Sequence, residues 1–490
     1  MDNKLTANEF LGGDSFVKKY EYIYPIIRLI LYRLDTWGRS GLNPYDGKNP
    51  EDRLDIKHKL LAMSGKFFYC FYRLCCREKS DSNIMLSETI FKIGRYKHMN
   101  KELLQNKSVY RFCSEANCSA WSIIKDRQTG FQWKMLTPLY VQDSVTGKRV
   151  KKAAYATFDF FETLLKDNKK CKEEETTVNM LVDELQAAVI ERVDFLCGII
   201  QKRNIQAFVT FNQYNLSDFI FMMACKKMNV KRKVYFHYGF AHAPVRSNAS
   251  YISELWADDK QSWDVNNELC FWTKSDILWW EKHGKKENWY GEKMKLQVIG
   301  CPEVTKSLLG SYRKKYPKSN IVTVSAPMCA AFSNKFDNGV KNVTYTTSDL
   351  EELKKWKKNI YYQFYKMAEK NNVKVNIRYH PSEPIFSREL DKDLMEEFGF
   401  SISEDTREGL FKSASESIAT FGHSTSFSVI SYIFGAKTVL IDLDDVEYDL
   451  CGYNMDIVQV EDIAEYVIKN DNTDHPDECF DLEKFVDVLS

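Results

Sequence analysis

The feature that most constrains this chain is a strand–helix–strand alternation whose strands end in polar residues. Val178, Leu181, Leu185, Ala188, Val189, Leu196 and Ile200 recur at helical spacing, so a long amphipathic helix is expected from Thr177 to about Arg203. Ala207 to Phe211 then reads as an apolar strand that ends in a polar run reaching Asp218. An apolar helix, Phe219 to Met228, leads to a second strand, Lys233 to Phe236, and on to His237. Strands joined through a helix pair in parallel, and a right-handed crossover brings Gln213, Asp218 and His237 to one rim.

The alternation continues. Strands are expected at Glu268 to Thr273 and Lys295 to Ile299, followed by Gly300-Cys301-Pro302 and a basic polar stretch between Thr305 and Asn320. A second series opens with Asn320 to Ser325. Its helix carries Leu350, Leu353, Trp356, Ile360, Phe364 and Met367 on one face, and strands follow at 373–379, 400–403, 418–421 and 438–441. The expected fold is α/β: two Rossmann-like doubly wound domains facing a cleft, with a mostly helical N-terminal extension. The boundaries read as 1–175 for the extension, 176–305 for an acceptor domain and 306–490 for a nucleotide-donor domain.

Within the extension, Ile23 to Leu34 is apolar but too short to span a bilayer, and it is interrupted by Arg28 and Arg33. It is read as a core-facing helix, with a membrane-surface helix as the alternative. Residues 37–47 are turn chemistry, 54–77 read as a helix, and 108–141 as short strands and turns. The polar run Lys166 to Thr177 reads as a solvated linker.

A 490-residue chain with net charge +1 and 44% hydrophobic residues has room for two or three domains and no general nucleic-acid signature. Thirteen cysteines, an odd number with no paired Cys-x-x-Cys motifs, point to reduced thiols. With a polar start and no visible secretion signal, the expected location is cytoplasmic, with peripheral inner-membrane association as the alternative.

Two motifs carry the chemistry. Val-Lys-Val-Asn-Ile-Arg-Tyr-His-Pro at 373–381 is a strand closed by Pro381, which places His380 at its carboxyl edge, with Arg378 on the same face as His380. At 417–435 a strand runs through Gly422 into Ser424-Thr425-Ser426 and an apolar helix. Hydroxyls and backbone N–H groups at a positive helix end suit a phosphate, and His423 is placed to share it. Glu404, Asp405 and Glu408 are candidates for donor hydroxyls. Asp391-Lys392-Asp393 has metal-binding spacing but lies in a charged helical segment, so no metal and no cofactor are expected.

The succession of His237-x-Gly239, Gly300-x-Pro302, His380-Pro381 and the Ser/Thr motif before a helix and Gly435 resembles bacterial surface-polysaccharide glycosyltransferases of the GT-B fold. It is similar in particular to the groups that use CMP-activated sialic acid or Kdo and to CDP-glycerol and CDP-ribitol phosphotransferases. The resemblance covers roughly residues 200 to 445. It implies that His380, Ser424, Thr425 and Ser426 contact the nucleotide and phosphate of a nucleotide-sugar donor. It further implies inverting transfer to a glycan or glycolipid acceptor of capsule or lipopolysaccharide. For the acidic base, Asp218 is the first choice, His237 the second and Asp258-Asp259 the third. The phosphotransferase pattern uses His237 with His380. The remaining alternatives are a nucleotide-sugar epimerase and a non-catalytic glycan-assembly partner.

Overall fold

The computed structural model describes residues 10–35, 84–87, 109–113, 136–140, 144–210, 216–236, 268–282, 295–327, 347–380, 383, 385–423, 425–442, 448–469, 474–481 and 483–485. Seven parallel strands form the first sheet: β1 (Ile84–Ser87), β2 (Val109–Cys113), β3 (Leu136–Tyr140), β4 (Ala207–Thr210), β5 (Arg232–Phe236), β6 (Glu268–Phe271) and β7 (Lys295–Val298). Their order is β3-β2-β1-β4-β5-β6-β7. Every residue of β1, β4 and β6 is buried, as a parallel sheet covered by helices on both faces requires.

This sheet moves the expected N-terminal boundary. Residues 1–175 are not a separate extension, since β1, β2 and β3 form one half of the first sheet. Their helices share its core: α1 (Asp14–Lys19), α2 (Tyr24–Asp35), α3 (Ser144–Lys166), α4 (Glu175–Lys202) and α5 (Leu216–Lys227) contribute to one apolar cluster. The run read as a solvated linker is a tight connection between α3 and α4. Cys171 anchors it at 2% exposure and Lys169 pairs with Glu174 at 3.2 Å. The helices expected over 54–77 and the turns over 37–47 lie outside the described residues.

The apolar run at Ile23 to Leu34 is core, as its first reading had it. Ile26, Ile27, Leu29, Ile30 and Leu31 are each 0% exposed. At about 2 kcal/mol for each buried aliphatic side chain, exposing that face to water would forfeit on the order of 10 kcal/mol.

After α6 (Lys274–Lys282) and the short β8 (Cys301–Thr305), the second lobe begins with α7 (Lys306–Lys315), where Thr305 caps the helix by accepting from the Leu308 N–H. A six-stranded parallel sheet follows, built from β9 (Ser319–Ser325), β10 (Lys374–Arg378), β11 (Ser401–Ile402), β12 (Ser417–Gly422), β13 (Lys437–Asp442) and β14 (Asp456–Gln459). Its order, β11-β10-β9-β12-β13-β14, is that of a doubly wound nucleotide-binding sheet. The helices are α8 (Thr347–Asn371), α9 (Ile385–Phe398), α10 (Arg407–Glu416) and α11 (Ser426–Ile433).

The lobes are joined covalently and by packing. The last strand, β15 (Cys479–Phe480), pairs with β8, the Asp481 N–H donates to the Ile299 carbonyl at 2.9 Å, and Phe485 packs 5.2 Å from Phe236 at the end of β5. Buried Glu303 of β8 pairs with Arg407 of α10. The Tyr453 hydroxyl lies 2.5 Å from Thr273 Oγ1 and donates to Asp276 at 3.1 Å, and Lys282 pairs with Asp449.

Candidate functional site

In a doubly wound sheet the strand order reverses at one point, and ligands bind beyond the strand carboxyl ends there. In the second lobe this point lies between β9 and β12. Arg378 pairs in register with Ser325, and Phe421 with Val324, so Gly422 emerges beside Ser325. A Cβ on Gly422 would stand 2.6 Å from Ser325 Oγ and 2.8 Å from its Cβ. Only glycine allows the two strand ends to approach this closely.

Two histidines flank the reversal. His380, two residues past β10, is exposed, and its carbonyl accepts from the Glu383 N–H at 2.9 Å and from Arg388 at 3.2 Å. His423 directly follows β12. Part of this residue touches solvent, but Nε2 is sealed and has no hydrogen-bond partner. Burial pulls the imidazole down to about 4, and the charge of His380 acts in the same direction. His380 follows β10 and His423 follows β12, the two strands that flank β9.

The passage from β12 into α11 leaves two polar atoms buried without a partner. Ser428 Oγ donates to the His423 carbonyl at 2.7 Å, which fixes the turn. Thr425 occupies the N-cap in an extended conformation, yet its side chain caps nothing, and Oγ1 is buried without a partner. A buried polar group left unpaired costs about 1–3 kcal/mol. Thr425 Oγ1 and His423 Nε2 are thus two unsatisfied polar atoms at the helix start, where Ser426 opens α11. Ser424 and Pro381 lie outside the described residues.

His423 makes the stability of this lobe pH-dependent. Its folded value lies below the ordinary histidine value, so its contribution is present above about pH 6.5 and is lost as pH falls towards about 4. The expected loss is on the order of 1–3 kcal/mol. Urea unfolding of wild type and His423→Phe across that range checks it, because the variant should lack this part of the slope.

Arg378 is braced. Its guanidinium donates to the Glu404 carbonyl at 2.9 Å and the Thr406 carbonyl at 3.1 Å, and lies over the Phe427 ring at 5.9 Å. Burial lowers it to about 10. Those contacts hold the β11–α10 connection against α11. Glu408 is exposed in the first turn of α10, where its charge is felt by Tyr312 and Lys315 of α7, and Asp405 pairs with Arg388 at 2.9 Å. Of the Asp-x-Asp pair, Asp391 is buried against Lys357, while Asp393 pairs with Lys354 on the surface.

In the first lobe the reversal lies between β1 and β4, and Asp218 sits over it. Asp218 Oδ2 accepts from Ser87 Oγ at 2.6 Å, at the end of β1, and from Thr210 Oγ1 at 2.7 Å, at the end of β4. At 3% exposure, in the first turn of α5, this carboxylate clasps the two strand ends to the helix. His237, Asp258 and Asp259 lie outside the described residues. The His380–His423 pairing was not singled out from the sequence, although a histidine directly after the strand-end Gly422 was its signal.

No family model and no curated protein matches this chain. Solved structures do. It is similar to the UDP-GlcNAc 2-epimerase of Neisseria meningitidis bound to UDP-GlcNAc, at 10% identity and a TM-score of 0.43 over 83% of this chain and 98% of that one. The UDP-GlcNAc 2-epimerase of Methanocaldococcus jannaschii matches at 11% identity and 0.41, with the same shares. A UDP-forming trehalose-phosphate synthase from Burkholderia xenovorans matches at 10% and 0.38, over 83% and 96%. The sheet orders give two Rossmann-ordered α/β lobes in one chain. Among the described residues no helix is long and apolar enough to cross a membrane.

Proposed function

We propose that this chain is a glycosyltransferase that moves a sugar from a nucleotide-activated donor, a CMP-sugar by preference, to a glycan or glycolipid acceptor. The observation that carries this reading is the placement of His380 after β10 and of His423 and the unpartnered Thr425 hydroxyl after β12, the two strands flanking β9 at the reversal beside the start of α11. The acceptor oxygen attacks the anomeric carbon, the bond from that carbon to the phosphate oxygen breaks, and the acceptor proton passes to a base. The departing phosphate takes up the developing charge, which His380, Thr425 and the helix start stabilise. On this reading His237, which follows β5 in the sequence, is the base, and Asp218 holds the ends of β1 and β4. The transfer inverts the anomeric centre and needs no metal, so EDTA leaves turnover unchanged.

A phosphate beside His423 would favour the protonated ring. Binding of CMP or UDP is therefore expected to take up a proton as pH falls below about 6.5 towards about 4, an uptake that calorimetry in buffers of different ionisation enthalpy would read and that His423→Gln should abolish. The deciding assay incubates the chain with CMP-sugars, UDP-sugars and CDP-polyols, with and without glycan acceptors, and scores nucleotide release. Acceptor-dependent release from a nucleotide sugar supports the proposal. Release from CDP-polyols alone, or conversion of the sugar with no acceptor, overturns it.

A further inference from the structure

Beneath the His380 turn lies a charged cluster that takes no part in the chemistry described above. Lys357 of α8 is 0% exposed, and its ammonium group donates to Glu383 Oε1 at 3.2 Å, Ser387 Oγ at 2.6 Å and Asp391 Oδ2 at 2.9 Å. Ser387 in turn donates to Glu383 Oε1. The hydroxyls of Tyr361 and Tyr379 are buried beside Asp391. One cation among two carboxylates in an apolar interior is a costly arrangement, and hydrophobic residues of similar volume often serve stability as well or better. Such a cluster calls for a reason other than stability.

The reason lies one residue-step above it. Glu383 is the residue whose N–H donates to the His380 carbonyl, and Arg388, which donates to both the His380 and Glu383 carbonyls, lies over the Tyr379 ring at 5.1 Å. The Glu383 side chain is thus the peg that seats the 380–383 turn, and Lys357 is its socket. We propose that Lys357 is a positioning residue that fixes the His380 turn through Glu383. Its relevance to catalysis rests on the phosphate-binding reading of His380, whereas the seating of the turn does not.

The socket also has a titratable member. Asp391 faces Lys357 and Tyr361 from α8, Tyr379 from the end of β10, and Glu383 from the turn. Burial pushes the Asp391 carboxyl up to about 6, against the opposing pull of Lys357. Below that pH Asp391 is neutral, and Lys357 is left with Glu383 as its one charged partner in the cluster.

The test is hydrogen–deuterium exchange of the 382–388 segment in the full-length chain, corrected for intrinsic rates, together with calorimetric titration of CMP and UDP. Lys357→Met is expected to speed exchange of that segment about 10-fold while the other segments keep their protection. Ser387→Ala, which keeps both ion pairs and removes their shared hydroxyl, is expected to do so to a lesser degree. It serves as the readable variant where Lys357→Met does not fold. In wild type the same segment should gain protection as pH falls through about 6, because the closed state holds the Asp391 proton more tightly than the opened one, a dependence absent in Asp391→Asn. Unchanged exchange of the segment in the folded variants overturns the proposal. Faster exchange with unchanged nucleotide affinity keeps the seating of the turn and removes His380 from the phosphate site, which separates the two readings.

Discussion

Replacing His380 with alanine is expected to slow acceptor-dependent nucleotide release by about 30- to 900-fold, equivalent to about 2–4 kcal/mol of transition-state stabilisation. The side chain is exposed and the turn is held through its backbone carbonyl, so the melting temperature should stay at the wild-type value. The loss should fall mainly on kcat, because charge on the phosphate oxygen grows as the bond to the sugar breaks. Wild-type turnover in the variant would remove His380 from the reaction, and a lowered melting temperature would show that the side chain also supports the fold.

Gly300→Ala is expected to cost about 3 kcal/mol or more of stability. Gly300 sits at φ +82°, a conformation that L side chains rarely adopt. An added Cβ would fall 1.9 Å from the Cys479 carbonyl oxygen and 2.4 Å from its carbon. The obstacle is main chain, so no rotamer relieves it. The variant must part β15 from β8 or distort the strand pair, and both lower the urea midpoint. A midpoint equal to wild type would mean that the strand pair contributes little.

The second lobe was legible because its signals are local. Strands at 319–325, 374–378, 417–422 and 437–442 are apolar, bounded by polar residues, and separated by helices of clear period. In the first half of the first sheet, the short strands expected within 108–141 are present as β2 and β3, but β1 was not legible, since it is four residues long and acquires meaning through its parallel neighbours β2 and β4. Polarity misled at 166–177, where Cys171 anchors what reads as a linker. The Lys357 cluster was hidden by composition, since Lys354, Lys355, Lys357 and Lys358 look alike in a charged helix. Helical register separates them: Lys357 is one turn from Leu353 and from Ile360 and Tyr361, on the stripe that enters the core. Likewise, the donor set around His380 and His423 depends on the order β10-β9-β12, which no spacing along the sequence reveals.

The return of β15 to β8 has a bearing on biosynthesis. Residues 479–485 leave the ribosome after both sheets, yet they supply the partners of Cys301, Ile299 and Phe236. The two lobes can each condense early, but the seam between them stays unsealed until translation passes Phe485.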